Sequence, residues 1–81
     1  MKKNQLNINL RREGYWEEYY SSGGLMRSGY YNNGKREGYW KYYYINGGIN
    51  HVGHYMNDEE KGCWESYHAD GKLYLKEYYY V

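Results

Sequence analysis

Two segments of this chain repeat one another at a spacing of 24 residues. Gly14–Leu25 reads GYWEEYYSSGGL, and Gly38–Ile49 reads GYWKYYYINGGI. A third and more divergent copy follows. Repeats of roughly 20–50 residues are typical of stacked supersecondary units, each of which buries apolar surface only against its neighbours. Since 81 residues suffice for one small domain, 1–81, we divide that domain into an N-terminal segment and three repeats: 1–11, 12–35, 36–59 and 60–81.

The columns of this repeat indicate a shared structural framework. Two glycine columns are invariant (Gly14, Gly38, Gly62 and Gly23, Gly47, Gly71), and one further column is always Leu or Ile (Leu25, Ile49, Leu73). We assign a structural role to the three invariant aromatic columns, which are Trp16, Trp40, Trp64, then Tyr19, Tyr43, Tyr67, then Tyr31, Tyr55, Tyr79.

Each repeat predicts one β-hairpin. Tyr- and Trp-rich segments at 15–20, 39–44 and 63–68 favour a half-buried strand. They are followed by the turn sequences SSGG, INGG and ADGK, and then by second strands at 25–31, 49–55 and 73–79. Asn-Gly and Asp-Gly are strong hairpin signals, and we expect both central residues of these turns to take positive φ. The chain is therefore predicted to be all-β, an antiparallel meander forming a single elongated, twisted sheet.

The spacing of Trp16 and Tyr19 leaves two alternatives for the faces of the sheet. Residues three apart in a strand lie on opposite faces, so either both faces carry aromatic residues or a bulge turns one of them back. In either case we expect like residues to stack across the sheet, Trp over Trp and Tyr over Tyr. In the N-terminal segment, QLNINL alternates and predicts a capping strand, whereas we expect disorder for residues 1–4.

Composition and charge restrict the classes of function. The chain has 15 Tyr and 3 Trp but no Phe, which is typical of a thin sheet with water near both faces. The net charge of +1 gives no strong field for nucleic acid or anionic membrane. No apolar run predicts a membrane span, and the N-terminus lacks the apolar region of a signal peptide, so we expect a cytoplasmic protein. Cys63, the single cysteine, excludes an internal disulfide.

The repeat resembles MORN-type repeats, and most closely those of the YwqK-type antitoxin family. The pattern is G-x-W-x-x-Y, followed by a turn that ends in Gly, then by Leu or Ile, then by G-x-Y and an N-G-K-type turn. It is carried by Gly14, Trp16, Tyr19, Gly23, Leu25, Gly29, Tyr31 and Gly34; by Gly38, Trp40, Tyr43, Gly47, Ile49, Gly53 and Tyr55; and by Gly62, Trp64, Tyr67, Gly71, Leu73 and Tyr79. The third copy has Glu77 where Gly is expected. The resemblance covers 12–81 and implies antiparallel hairpin arrays used for protein contacts or self-association, in some cases as antitoxins. It offers no catalytic residue to carry over to this chain.

Candidates for metal binding or catalysis have simpler structural explanations. His51 and His54 are three apart and point to opposite faces of a strand, which is poor geometry for one ion. His54 stands in the column of Tyr30 and Tyr78, and His68 in that of Tyr20 and Tyr44, so both are interpreted as aromatic replacements. Cys63 occupies the column of Tyr15 and Tyr39. It is five residues from His68, so the two side chains are expected on opposite faces of the strand, and this favours a packing role for Cys63 over nucleophilic catalysis.

Charged residues give two further hypotheses. Among the carboxylates Glu17, Glu18, Glu59, Glu60 and Glu65, the column Glu17, Lys41, Glu65 predicts a charge ladder across neighbouring hairpins rather than acid–base chemistry. A basic cluster could instead bind single-stranded nucleic acid together with exposed tyrosines, although the near-neutral charge disfavours it. That cluster comprises Lys2, Lys3, Arg11, Arg12, Lys35 and Arg36.

The final segment, LYLKEYYYV, predicts an aromatic edge strand that a partner or a second copy could extend, unless Lys76 and Glu77 keep it monomeric. We predict a non-enzymatic protein without metal or cofactor, which docks a protein partner through a Tyr/Trp-rich sheet face or through the C-terminal edge strand. The resemblance implies an antitoxin-like or inhibitor role, with a toxin or another protein as the target, in a bacterium or phage. The alternatives are a self-assembling structural protein and, less favoured, a nucleic-acid binder. The candidate binding residues are exposed tyrosines: Tyr15, Tyr20, Tyr39, Tyr42, Tyr44, Tyr74, Tyr78 and Tyr80.

Overall fold

A computed structural model describes residues 2–80 of the chain; Met1 and Val81 lie outside the described residues. Each strand of the single sheet pairs antiparallel with its neighbours in sequence, in the order β1 to β7. The strands are β1 (Gln5–Leu6), β2 (Arg12–Tyr19), β3 (Leu25–Asn32), β4 (Lys35–Tyr43), β5 (Ile49–Met56), β6 (Glu59–Tyr67) and β7 (Leu73–Tyr79). The predicted all-β meander of hairpins is confirmed. The part of the chain that the structure describes contains no helix that could span a membrane.

The first strand of each hairpin begins three to four residues earlier than the aromatic pattern predicts, because the turns between repeats are short. Asn33 and Gly34 form such a turn, with φ of 51° and 88°, so that β4 already begins at Lys35. Asn57 and Asp58 make the equivalent turn, with φ of 54° and 72°. Two consecutive residues with positive φ are typical of the two-residue turns whose twist suits adjacent strands.

The turns within the hairpins are of a different type from the one predicted. In INGG only Gly47 has positive φ, 94°, and Asn46 does not. The N–H of Gly47 donates to the carbonyl of Tyr44 at 2.9 Å, and the N–H of Tyr44 donates to the carbonyl of Gly48 at 2.8 Å. This longer loop ends in a bulge where a single glycine is left-handed. The prediction of two positive-φ residues is therefore wrong for INGG and ADGK.

One face of the sheet carries the core, and we call it the tryptophan face. Its aromatic residues form a row across the strands: Trp16, Tyr31, Trp40, Tyr55, Trp64 and Tyr79. Trp40 is 1% exposed and Trp64 3%. Tyr31 lies between Trp16 and Trp40, with ring centroids 5.9 and 5.0 Å away at interplanar angles of 82° and 84°. Such edge-to-face pairs stabilise by about 0.5–1.5 kcal/mol beyond their area.

This alternation corrects the expectation that like residues stack across the sheet. Residues 24 apart lie two strands apart, and the strand between them contributes a residue to the same row. Tyr55 therefore separates Trp40 from Trp64, with centroid distances of 6.1 and 4.9 Å. Trp and Tyr alternate along this row because the two strands of a hairpin contribute different columns of the repeat.

Two glycines of the second strands provide the space in which the next repeat packs. A Cβ built on Gly29 would lie 2.2–2.5 Å from ring atoms of Trp40, and one on Gly53 would lie 2.1–2.5 Å from those of Trp64. The indole N–H of Trp40 also donates to the carbonyl of Tyr30 at 2.9 Å. Each tryptophan thus covers the backbone of the preceding hairpin, and any side chain in the glycine column would displace it.

Both faces carry aromatic residues, which decides between the two alternatives for Trp16 and Tyr19. Trp16 lies on the tryptophan face, whereas Tyr19 donates a hydrogen bond to Glu17 on the opposite face. A register shift is also present between Glu18 and Tyr19, but it does not bring Tyr19 to the tryptophan face. The sheet measures 41 × 37 × 18 Å along its principal axes, and because it is thin, both of its faces are close to solvent.

The N-terminal segment is more ordered and less strand-like than expected. β1 contains only Gln5 and Leu6, and a turn begins at Asn7 instead of a longer strand. The side-chain amide of Asn4 accepts from the N–H of Glu17 at 2.8 Å and donates to its carbonyl at 3.0 Å. The disorder expected at Lys2–Asn4 is therefore not found, because Asn4 imitates a paired strand at the edge of β2. Met1 lies outside the described residues.

Candidate functional site

The face opposite the tryptophans contains two surface depressions, and we call it the groove face. One depression of about 390 Å³ is lined by Tyr39, Lys41, Ile49, Val52, Glu65, Tyr67 and Gly71. A second, of about 220 Å³, is lined by Tyr15, Ser28, Gly29, Tyr30, Tyr39 and Lys41. Since Tyr39 and Lys41 line both, the two depressions adjoin and form one groove that crosses the strands.

The floor of the groove is buried and its walls are aromatic. Val52 is 7% exposed and Ser28 is 6% exposed. Tyr15 packs on Tyr30 with ring centroids 5.3 Å apart, while Tyr39, itself 42% exposed, packs on His54 at 5.0 Å. Aromatic side chains with an apolar ring and a polar tip are enriched where proteins contact their partners.

Lys41 lies at the centre of this groove and has no carboxylate partner. It occupies β4, the middle strand, in a row whose members are Glu17, Ser28, Lys41, Val52, Glu65 and Lys76. Among residues 2–80, no carboxylate oxygen lies within 4.0 Å of its ammonium group. The group instead lies 5.8 Å from the centroid of the Tyr39 ring.

The predicted charge ladder is therefore present as a row but not as ion pairs. Glu17 bonds to Lys3 at 2.7 Å, and Glu65 contacts Lys76 at 3.7 Å. Ser28 and Val52 separate the members of the predicted ladder, because adjacent places in the row belong to adjacent strands rather than to adjacent repeats. Glu17 and Glu65, the acids on either side of Lys41 in this row, each contact another lysine, and among residues 2–80 no carboxylate lies within 4.0 Å of Lys41.

Electrostatics at the N-terminal end of the groove face are set by Glu17. Hydrogen bonds from Lys3, Tyr19 and Tyr15 lower the pKa of Glu17 to about 2. The same contact with Glu17 raises the pKa of Lys3. This end of the face is therefore internally neutralised, in contrast to the centre of the groove.

The predicted binding tyrosines do not form one surface. Tyr15 and Tyr39 line the groove, and Tyr78, 58% exposed, lies on the same face opposite Cys63. Tyr42 lies on the tryptophan face, where its ring stacks on His51 with centroids 4.3 Å apart. Tyr80, beyond β7, is 87% exposed.

Three further members of that set have structural contacts. The hydroxyl of Tyr20 donates to the carbonyl of Tyr43 at 2.6 Å, and that of Tyr44 donates to the carbonyl of Tyr67 at 2.7 Å. Each bond joins one repeat to the next. Tyr74 stacks on His68 with centroids 4.3 Å apart. The positions of the Tyr20 and Tyr44 hydroxyls favour a role in holding the repeats together.

Sequence reasoning missed the residues that give the groove its shape and charge. Ile49, Val52 and Tyr67 line it together with Lys41 and Glu65. Tyr67 was assigned to the structural framework, and Lys41 to an ion-pair ladder. Strand parity relative to Trp40 would have placed Lys41 on the face of Tyr39, but the lack of a partner depends on where Lys3 and Lys76 lie.

The histidines and the cysteine lie where column comparison predicts. His51 is on the tryptophan face and His54 on the groove face, and His54 packs on Tyr39 much as Tyr30 packs on Tyr15. Cys63 is exposed at the middle of β6, and His68 directly follows the end of that strand. Within residues 2–80, no three His, Cys, Asp or Glu side chains are grouped so that they could hold a metal ion.

Three of the six residues in the basic cluster proposed for nucleic acid form ion pairs within the chain. Lys3 bonds to Glu17, Arg12 to Glu18 at 2.7 Å and Arg36 to Asp58 at 2.6 Å. The guanidinium groups of Arg12 and Arg36 also lie over aromatic rings of the tryptophan face, at 4.5 Å from Trp16 and 4.2 Å from Tyr55. These arginines stabilise the aromatic row and are less available to phosphates.

The fold and groove define a class of architecture, a single open antiparallel sheet of hairpin repeats with one aromatic packing face and one grooved face. Comparison of the chain with protein-family models, with curated proteins and with solved structures gives no match. The likeness to MORN-type repeats therefore remains one of repeat columns.

Proposed function

We propose that this chain is a non-enzymatic protein-binding module whose groove face docks an extended, acidic segment of a partner protein. The observation that carries the proposal is Lys41, a half-buried cation without a carboxylate partner in the middle of an aromatic groove. A carboxylate supplied by the partner would lie beside this ammonium group on docking, and it would gain both charge complementarity and hydrogen bonds.

The walls of the groove fit an apolar, extended segment on either side of that carboxylate. Ile49 and Val52 offer apolar surface at one end, and Tyr15 and Tyr30 offer aromatic surface at the other. Tyrosines of this kind supply a large share of binding energy in protein interfaces at little cost in side-chain entropy. The rigid sheet beneath them would limit the ordering cost on the side of this chain.

The resemblance of the repeat to the antitoxin family makes a toxin, or another enzyme that the chain inhibits, the first partner to test. An exposed free thiol at Cys63 supports a reducing, cytoplasmic location, in which such a thiol persists. Nucleic-acid binding is the weaker alternative, because the internal ion pairs of Lys3, Arg12 and Arg36 reduce the charge available to phosphates.

The test compares three tagged baits in the native cell extract: the wild-type chain, Lys41→Glu in the groove, and Lys72→Glu as a matched charge reversal in an exposed turn. We expect one stoichiometric protein to be captured by wild type and by Lys72→Glu, with at least tenfold weaker recovery by Lys41→Glu. The captured protein should persist after nuclease treatment. Its affinity should then be measured with purified components, because loss of a buried ion-pair partner typically costs 2–5 kcal/mol or about 30-fold and more.

Equal recovery by wild type and Lys41→Glu would contradict a groove centred on Lys41. Loss of every captured protein on nuclease treatment would favour nucleic-acid binding instead. The intrinsic fluorescence of each bait should be compared beforehand, so that a folding defect in Lys41→Glu is not mistaken for lost binding.

A further inference from the structure

β7 forms one edge of the sheet within the described residues. Among residues 2–80, β7 pairs only with β6. Leu73, Tyr74, Leu75 and Tyr78 on this strand are 45%, 51%, 43% and 58% exposed. An apolar edge strand with free backbone groups is a template for pairing with another strand.

The third repeat differs from the other two where a further repeat would pack. Glu77 occupies the column of Gly29 and Gly53, whose missing side chains make room for an indole ring. A Cβ at this position would overlap a tryptophan placed as Trp40 is placed on Gly29. β7 is therefore unable to receive another tryptophan hairpin, whether from the same chain or from a second copy.

His68 shows the same change at a second contact. It replaces Tyr20 and Tyr44, whose hydroxyls donate to the carbonyls of Tyr43 and Tyr67 in the following repeat. The His68 ring instead stacks on Tyr74 within its own hairpin. Two independent columns thus lose the group that joins one repeat to the next.

The opposite edge of the sheet is also closed to a head-to-tail contact. The side chain of Asn4 occupies the backbone N–H and carbonyl of Glu17 on β2, and β1 covers the start of that strand. A second copy could not pair its β2 with β7 without displacing this segment. The remaining arrangement is an isologous one, in which β7 pairs antiparallel with β7 of a second copy.

We propose that the chain forms a closed two-fold dimer through β7, with Leu75 at the two-fold axis. Only three registers pair at least five residues within Leu73–Tyr79, and they are centred on Leu75, Lys76 or Glu77. The last two place like charges directly opposite one another, which is destabilising, whereas the first places Leu75 against Leu75. That register also sets Lys76 opposite Tyr74 of the second copy.

The expected dimer is weak. Pairing of one short edge strand buries less surface than the roughly 1,200–2,000 Å² of a stable interface. We therefore expect dissociation in the micromolar range or weaker, and a sheet that stops at two copies because the new dimer has no second β7 edge.

Sedimentation velocity over a wide concentration range tests the stoichiometry. We expect wild type to move from monomer to dimer without larger species, and Leu75→Lys to weaken the dimer at least tenfold because two new charges would meet at the axis. Leu10→Lys is the matched control, since Leu10 is 80% exposed in the N-terminal segment, and it should dimerise as wild type does. A monomer at every concentration would overturn the proposal and show that Lys76 and Glu77 suffice to guard the edge. Growth beyond two copies would overturn it as well.

Crosslinking tests the register independently of affinity. In a Cys63→Ser background, Leu75→Cys should be joined by a short bismaleimide, because directly opposed Cβ atoms lie about 4.5–5.5 Å apart. Tyr80→Cys, five residues from the axis, should not react between copies, since its two sulfurs would be roughly 33 Å apart at about 3.3 Å per residue. Equal crosslinking at the two positions would contradict the register.

Discussion

The indole of Trp40 occupies the space that a side chain on Gly29 would need. Ring atoms of Trp40 lie 2.2–2.5 Å from where a Cβ of residue 29 would be, and the indole N–H donates to the neighbouring carbonyl of Tyr30 at 2.9 Å. Trp64 makes the same contacts with Gly53 and His54. The unit of stability is therefore the junction between hairpins rather than the hairpin itself, as is typical of repeat proteins.

The first prediction concerns this junction. Gly53→Ala should lower the free energy of unfolding by about 3 kcal/mol, because a methyl group would displace the buried ring of Trp64. Unfolding in urea, followed by tryptophan fluorescence, measures the change. Glu77→Ala is the matched control in the same column, and since no indole covers position 77 it should change stability by less than about 0.5 kcal/mol. A tolerated Gly53→Ala would contradict the packing described here.

The second prediction concerns the hydroxyl of Tyr44. Tyr44→Phe should lower the free energy of unfolding by about 1 kcal/mol, because the hydrogen bond to the carbonyl of Tyr67 joins the second repeat to the third. The same urea titration applies. Tyr80→Phe is the control. Because the Tyr80 side chain is 87% exposed, removal of its hydroxyl should not change the free energy of unfolding measurably. If Tyr44→Phe weakened partner binding at unchanged stability, Tyr44 would belong to the binding surface instead.

The third prediction concerns pH. Burial against Tyr42 and Trp64 lowers the pKa of His51, although the nearby Glu60 opposes the shift. Because the unfolded chain then binds a proton more readily than the folded one, stability should be complete above the ordinary histidine pKa of about 6.5 and should fall as the pH decreases below it. Thermal unfolding at pH 7.5 and pH 5.5 measures this difference.

The variant His51→Phe should reduce that pH dependence, since it keeps a ring against Tyr42 and removes the titrating group. His54→Phe, which changes the histidine on the other face, is the matched control. A pH dependence that persists unchanged in His51→Phe would show that groups other than His51 cause it. Glu17 is not among them, because with a pKa lowered to about 2 it affects stability only at pH values below this range.

Much of the fold could be predicted because the information is local. Alternation and Gly-containing turns specify strands and connections, and the 24-residue period specifies how often they recur. The failures were of two kinds. Asn46 was assigned positive φ from its dipeptide, but the loop length selects a turn in which only Gly47 needs it. Asn4 was assigned to a disordered tail, but its side chain bonds to Glu17, 13 residues away.

The candidate site was less accessible to sequence reasoning than the fold. A list of exposed tyrosines includes Tyr44, which holds two repeats together, and omits Tyr67, which lines the groove. Strand parity separates the two faces, but parity alone does not show which face is filled by packing and which retains a depression. That difference arises because the indoles of Trp40 and Trp64 fill one face only.

The sequence by itself determined the hairpin period, the all-β class and the columns where glycine and tryptophan must recur, because each depends on short-range backbone preferences and on side-chain size. Only the tertiary structure decided which side chains become neighbours across strands. It places Tyr31 between Trp16 and Trp40, and it pairs Glu17 with Lys3 and Glu65 with Lys76. Among residues 2–80, Lys41 has no carboxylate within 4.0 Å, because strand register and bulges, not spacing along the chain, set the distances between charges.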